Sequence, residues 1–127
     1  MSEEERKIVV IRNRIEELKE MLSNLQEKRV EYEVTKASLK ELSEGDKLLV
    51  PIGSGVFIKA EVKETDKVLL NIGAEILMED TKESTIKIID EQIQRIDELY
   101  ENALSELRYL EEILQKMAKK EKSAIEK

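Results

Sequence analysis

The side chains able to do chemistry in this sequence are carboxylates, lysines, arginines, hydroxyls and three tyrosines, because histidine, cysteine and tryptophan are absent. Glu79, Asp80 and Glu83 form a compact acidic group that would offer hard oxygen ligands to Mg²⁺ or Ca²⁺. Their spacing is not that of a calcium loop, and Asp80 with Glu83 also has the capping-box spacing that opens a helix, which is the expectation adopted. The run Gly53-Ser54-Gly55 is rich in glycine, as phosphate cradles are. A cradle requires a strand leading into a helix and further glycines, whereas this run lies between two strand-like segments and reads as a hairpin turn. A Cys/His zinc site, a disulfide scaffold, a cysteine nucleophile and a histidine base are all ruled out. Any catalysis would rest on carboxylates or lysines alone, and these show no convergence around a strongly apolar pocket. The expectation is a protein that is not an enzyme, with no catalytic residue, metal or cofactor.

The 127 residues amount to about one domain. Charged residues make up 40% of them, against roughly one quarter in ordinary globular domains. Another 40% are apolar, mostly aliphatic, and the aromatics are limited to Tyr32, Tyr100, Tyr109 and Phe57. So much charge beside so much isoleucine and leucine predicts elongated helices with a narrow apolar seam between solvated flanks. The net charge of −7 is spread as 9 basic and 10 acidic groups over residues 1–42, 5 and 9 over 43–83, and 8 and 10 over 84–127. No segment is basic, so no nucleic-acid footprint is expected. Met1-Ser2-Glu3-Glu4-Glu5 lacks the positive region and apolar core of a signal peptide, and no stretch nears the 18 or so apolar residues that span a bilayer. The expectation is a soluble, cytoplasmic protein without a membrane partner.

The elements follow from periodicity. Ile8, Ile11, Ile15, Leu18, Leu22 and Leu25 alternate steps of 3 and 4, a heptad stripe on a helix over 3–43, with Ser2 and Glu5 at capping-box spacing and Gly45 suited to stop it. Beyond Leu25 two continuations compete. The original phase passes through Arg29, Tyr32, Lys36 and Leu39, while Val30, Val34 and Ala37 offer a shifted apolar stripe. A second helix over 81–127 carries Ile86, Ile89, Ile93, Ile96, Tyr100, Ala103, Leu107, Leu110, Leu114 and Met117 in unbroken 3–4 steps, with Ala124 and Ile125 trailing. Glu112 and Lys116 add a favourable i,i+4 pair. All four glycines and the proline fall between 45 and 73, where short strands are expected over 47–52, 56–63, 67–72 and 75–78, giving two consecutive hairpins. The fold class is therefore α+β, mainly α: one domain over 1–127, with helices at 1–43 and 81–127 pairing as an antiparallel coiled coil and two β-hairpins at 44–80. Two hairpins bury too little by themselves to be stable, and their open edges invite pairing, so assembly through this region is expected.

At the far end of the paired helices, Ile8, Val9, Val10 and Ile11 form a run of four branched residues near Leu114, Met117 and Ala118. This is more aliphatic surface than a two-helix seam can cover. It fits either a locally broadened core or an adaptable apolar contact patch.

The central run Leu49-Val50-Pro51-Ile52-Gly53-Ser54-Gly55-Val56-Phe57-Ile58-Lys59-Ala60, followed by Thr65-Asp66-Lys67-Val68 and Asn71-Ile72-Gly73-Ala74, resembles the prefoldin alpha-class subunit, and the helix, two-hairpin, helix order agrees over essentially the whole chain. Glu75 departs from the small residue expected after Gly73-Ala74. The resemblance implies an ATP-independent co-chaperone of archaeal type. Two alpha-class and four beta-class subunits would join their hairpins into a β-barrel platform, and the coiled-coil tips would hold unfolded proteins and deliver them to a group II chaperonin. On that reading Ile8, Val9, Val10, Ile11, Leu114, Met117 and Ala118 contact clients. Val50, Ile52, Val56, Phe57, Ile58, Val62, Val68, Leu70, Ile72, Ile76 and Met78 serve assembly. Glu/Lys/Ile enrichment without Cys or His suits a hyperthermophilic archaeal source. Two alternatives stand beside it: a variant that self-assembles into homo-oligomers or filaments through its hairpins, and a generic coiled-coil adaptor for one folded partner.

Overall fold

The computed structural model describes residues 1–126, with the side chains of 121 and 123–126 outside that description, so the trailing Ala124 and Ile125 of the second heptad lie beyond it. The element order is α1 (Glu3–Glu41), β1 (Lys47–Gly53), β2 (Val56–Glu61), β3 (Lys67–Asn71), β4 (Leu77–Thr81) and α2 (Lys82–Glu126). The chain divides into two compact units, Met1–Val30 with Gln94–Lys127, and Glu31–Ile93.

In the first unit Ser2 caps α1. Its Oγ accepts the Glu5 N–H at 3.2 Å and its carbonyl accepts the Arg6 N–H at 3.1 Å. Glu3, Glu4 and Glu5 occupy the first turn, where the helix dipole favours negative charge. Ile15, Leu18 and Leu22 of α1 bury against Ala103 and Leu107 of α2, with Ile11, Tyr100, Leu104, Leu110 and Leu114 partly buried around them. Polar contacts flank this seam. The Arg14 guanidinium donates to both carboxylate oxygens of Glu106 at 3.1 and 2.9 Å, Gln26 donates to the Tyr100 hydroxyl at 3.1 Å, and Arg29 Nε donates to Asp97 Oδ1 at 2.8 Å. Partners descend from 106 to 97 as α1 ascends from 14 to 29, so the helices of this unit run antiparallel. Glu112 and Lys116 meet at 3.8 Å.

The seam keeps its original phase past Leu25. Arg29 is half-buried in the first unit, as are Tyr32, Lys36 and Leu39 in the second, whereas Val30 and Val34 are 62% and 59% exposed. The shifted stripe of Val30, Val34 and Ala37 does not form. Arg29 and Lys36 can hold seam positions because a long side chain can bury its methylene stem while its charged head stays at the surface, and the heads reach Asp97 and Asp90, each within its own unit.

In the second unit α1 stops at Glu41, two residues before the expected end. Gly45 is not its cap. Gly45 instead sits at φ +90° in a turn closed by the Asp46 N–H to Ser43 carbonyl bond, and its own N–H reaches the Val62 carbonyl at 2.8 Å. Val62 returns its N–H to the Asp46 carbonyl at 2.8 Å, so this segment begins the first hairpin rather than ending the helix. β1 and β2 pair antiparallel in the register Leu48–Ala60, Val50–Ile58 and Pro51–Phe57, with a bulge between Pro51 and Gly53. Ser54 and Gly55, at φ +50° and +78°, make the two-residue turn of the type that suits the twist of a hairpin.

β3 and β4 pair in the register Val68–Asp80 and Leu70–Met78. The fourth strand was expected over 75–78 but runs Leu77–Thr81, because Ala74 and Glu75 form the turn, at φ +49° and +61°. The Ile72 N–H donates to Ile76 across it, and the Asn71 side chain receives the Gly73 N–H. α2 is capped by Thr81 rather than Asp80. Thr81 Oγ1 accepts the Ser84 N–H at 3.1 Å, and its carbonyl receives the hydroxyl of the buried Thr85 at 2.8 Å. Asp80 supports the cap from one side, its two oxygens taking the Thr81 N–H and the Ser84 hydroxyl. Ile89 and Ile93 are buried in this unit; no strand residue is.

Candidate functional site

Two apolar surfaces stand open, one in each unit. In the first, α1 and α2 form an open groove lined by Val10, Ile11, Ile113 and Met117, with Glu3, Arg6 and Lys7 at its edge. Val10 is 67% exposed and Val9 43%, while Ile8, Ile11, Leu114 and Met117 are half-buried and Ala118 is exposed. Ile11 and Leu114 join the margin of the core, so the broadened seam and the open patch are both present and share residues. Val10, Ile11 and Met117 come together in the groove; Ile8, Val9, Leu114 and Ala118 lie outside its lining. Ile113 is the member not anticipated. Its signal is its position four residues before Met117, on the flank of the heptad stripe rather than on it.

The second unit's hairpins present apolar side chains on both faces. Cross-strand register puts Leu48, Val50, Val56, Ile58 and Ala60 on one face of the first hairpin, and Leu49, Pro51 and Phe57 with Lys47, Lys59 and Glu61 on the other. In the second hairpin, Val68, Leu70, Met78 and Asp80 share a face, with Val68 and Leu70 half-buried. Leu69 and Leu77 stand exposed on the opposite face beside Glu79, which reaches Lys67 at 3.8 Å. Ile52 sits at the bulge, Ile72 and Ile76 flank the second turn, and Val62 extends the first ladder half-buried. Leu48, Leu49, Leu69 and Leu77 enlarge the surface beyond the expected set. Leu49, Leu69 and Leu77 lie on the faces opposite Val50, Val68 and Leu70, where period-two alternation anticipates polar residues, whereas Leu48 shares the face of Val50 and Ile58.

Glu79 and Asp80, adjacent on β4, point to opposite faces, and among the described residues no three acidic groups converge on one point. The glycine-rich run is the turn between β1 and β2. What the arrangement offers chemically is apolar burial against exposed strand edges and an open groove.

No curated protein matches the sequence. The fold is similar to that of filamentous PFD from Methanocaldococcus jannaschii, determined by cryo-EM, with a TM-score of 0.67 and 24% sequence identity over 97% of this chain and 98% of that one. The sequence model described as prefoldin subunit matches residues 11–127, taking in α1 from Ile11 onward, both hairpins and α2. On that match, the chain belongs to the prefoldin family.

Proposed function

We propose that this chain is an alpha-class prefoldin subunit acting as an ATP-independent holdase in the archaeal cytoplasm. Its hairpins join those of beta-class subunits in a β-barrel platform, two alpha-class with four beta-class. The aliphatic groups around Ile8–Ile11, Leu114, Met117 and Ala118 hold unfolded proteins for transfer to a group II chaperonin. The whole of 1–127 works as one domain in this role, and none of its steps needs a reactive side chain. The observation that carries the proposal is the pair of ribbons with apolar residues on both faces and no buried residue of their own, in a chain of this family. Such ribbons gain stability from partners that cover them. Several weak apolar grips on one platform then hold a flexible chain far better than one does, and each releases quickly.

A second reading is favoured by the filamentous assembly named for the Methanocaldococcus jannaschii protein: self-association through the same hairpins. Mass measurement of the purified chain, alone and with a beta-class subunit, separates the two. A discrete hetero-hexamer supports the first reading and long polymers of the single chain support the second. A monomer unchanged by any partner would refute both. Removal of residues 1–11 and 114–127 is expected to abolish suppression of client aggregation while leaving the assembly mass, corrected for the deletion, otherwise intact.

A further inference from the structure

The groove formed by Val10, Ile11, Ile113 and Met117 is edged by cations that the fold does not explain. Arg6 and Lys7 line it from α1. On α2, Ile113, Lys116, Met117 and Lys120 are spaced at i, i+3, i+4 and i+7, so both lysines border the stripe that supplies the groove's apolar wall. Residues 113–120 hold three lysines and no acid in a chain of net charge −7. The helix dipole does not account for them. α2 continues to Glu126 with no basic residue in its last turn, and the dipole's influence fades within that turn. Ion pairing does not account for them either. Among the described residues Arg6, Lys7 and Lys120 form no ion pair, and Lys116 meets Glu112 only at 3.8 Å with both groups largely exposed. Among the described residues, the carboxylate at the groove's edge is that of Glu3.

We propose that this groove takes unfolded segments in which aliphatic residues are flanked by carboxylates, in preference to equally apolar segments flanked by lysines. The inference rests on the holdase reading and adds a chemical class to its client. The aliphatic floor accepts any apolar side chain, so discrimination falls to the cations at the edge. Screening over about 8 Å at physiological ionic strength lets these local charges outweigh the negative charge of the whole chain, which would otherwise turn acidic segments away.

The test uses the assembled full-length protein and two labelled, unstructured peptides of equal aliphatic content, one flanked by glutamates and one by lysines. Fluorescence anisotropy is read at about 0.1 M and about 0.5 M salt. At the lower salt the glutamate-flanked peptide is expected to bind roughly tenfold more tightly. That preference should shrink to about twofold at the higher salt. The double substitution Lys7→Glu, Lys120→Glu should reverse it at unchanged oligomer mass. Equal binding of the two peptides overturns the charge preference and leaves the holdase reading standing. Binding of neither overturns both. A change of oligomer mass on charge reversal assigns the groove to a second copy of the chain and also overturns the proposal.

Discussion

Leu18 is the most enclosed side chain described, 1% exposed at the centre of the cluster formed with Ile15, Leu22, Ala103 and Leu107. A seam only two helices wide has few neighbours to close over a void, so Leu18→Ala is expected to cost about 3 kcal/mol, read as a lower urea midpoint with an unchanged slope. The charged residues at the seam behave differently. Hydrogen bonding to Arg29, reinforced by its charge, holds the Asp97 carboxyl below its ordinary value. Hydrogen bonding to Asp90 raises the Lys36 ammonium above its own. A depressed acid stabilises the fold above its unfolded pKa and loses that contribution as pH falls through the folded one. A raised base stabilises it below its unfolded pKa and loses that contribution as pH rises through the folded one. Both contributions are therefore in place from about pH 5 to about pH 10. Asp97→Asn should flatten the fall of Tm with acidification below about pH 4 and leave the alkaline limb unaltered. An unchanged acid limb would mean that Asp97 is not coupled to folding.

At the scale of the elements, Ala74 and Glu75 both occupy left-handed backbone in the second turn, a conformation that costs a non-glycine residue about 1 kcal/mol or more. Replacement by Asn-Gly is expected to raise stability by about 1 kcal/mol in urea unfolding. No gain would place the strain elsewhere. Much of this level was legible beforehand. The 3–4 steps located both helices, the glycines and Pro51 confined the hairpins, and Ser2 marked the start of α1. What was not legible depended on which of two adjacent polar residues acts. Asp80 and Thr81 are both good caps, and the ladder running on to Thr81 gave the role to Thr81. Val34 looks more like a seam residue than Lys36, yet Lys36 lies at the seam because Asp90 stands within its reach. Partners on the other helix leave no trace in local spacing.

For the whole molecule, the apolar surface of the hairpins covers both faces: the expected set already spans them through Val56, Phe57 and Ile58, and Leu49, Leu69 and Leu77 stand exposed beside it. The groove was legible through Val10, Ile11 and Met117 but not through Ile113, whose side chain is seen to join only once the second helix lies alongside the first. The proposed function puts both surfaces into one scheme, in which the hairpins assemble and the helix ends grip. The gripping role is the central claim. Its most direct test is suppression of aggregation of a thermally unfolding client by the assembled protein, compared with the double substitution Val10→Ser, Met117→Ser. The substitutions remove apolar groups from the groove and leave the hairpins untouched. The account predicts that most of the suppression is lost at unchanged oligomer mass; full suppression by the variant at that mass would contradict it.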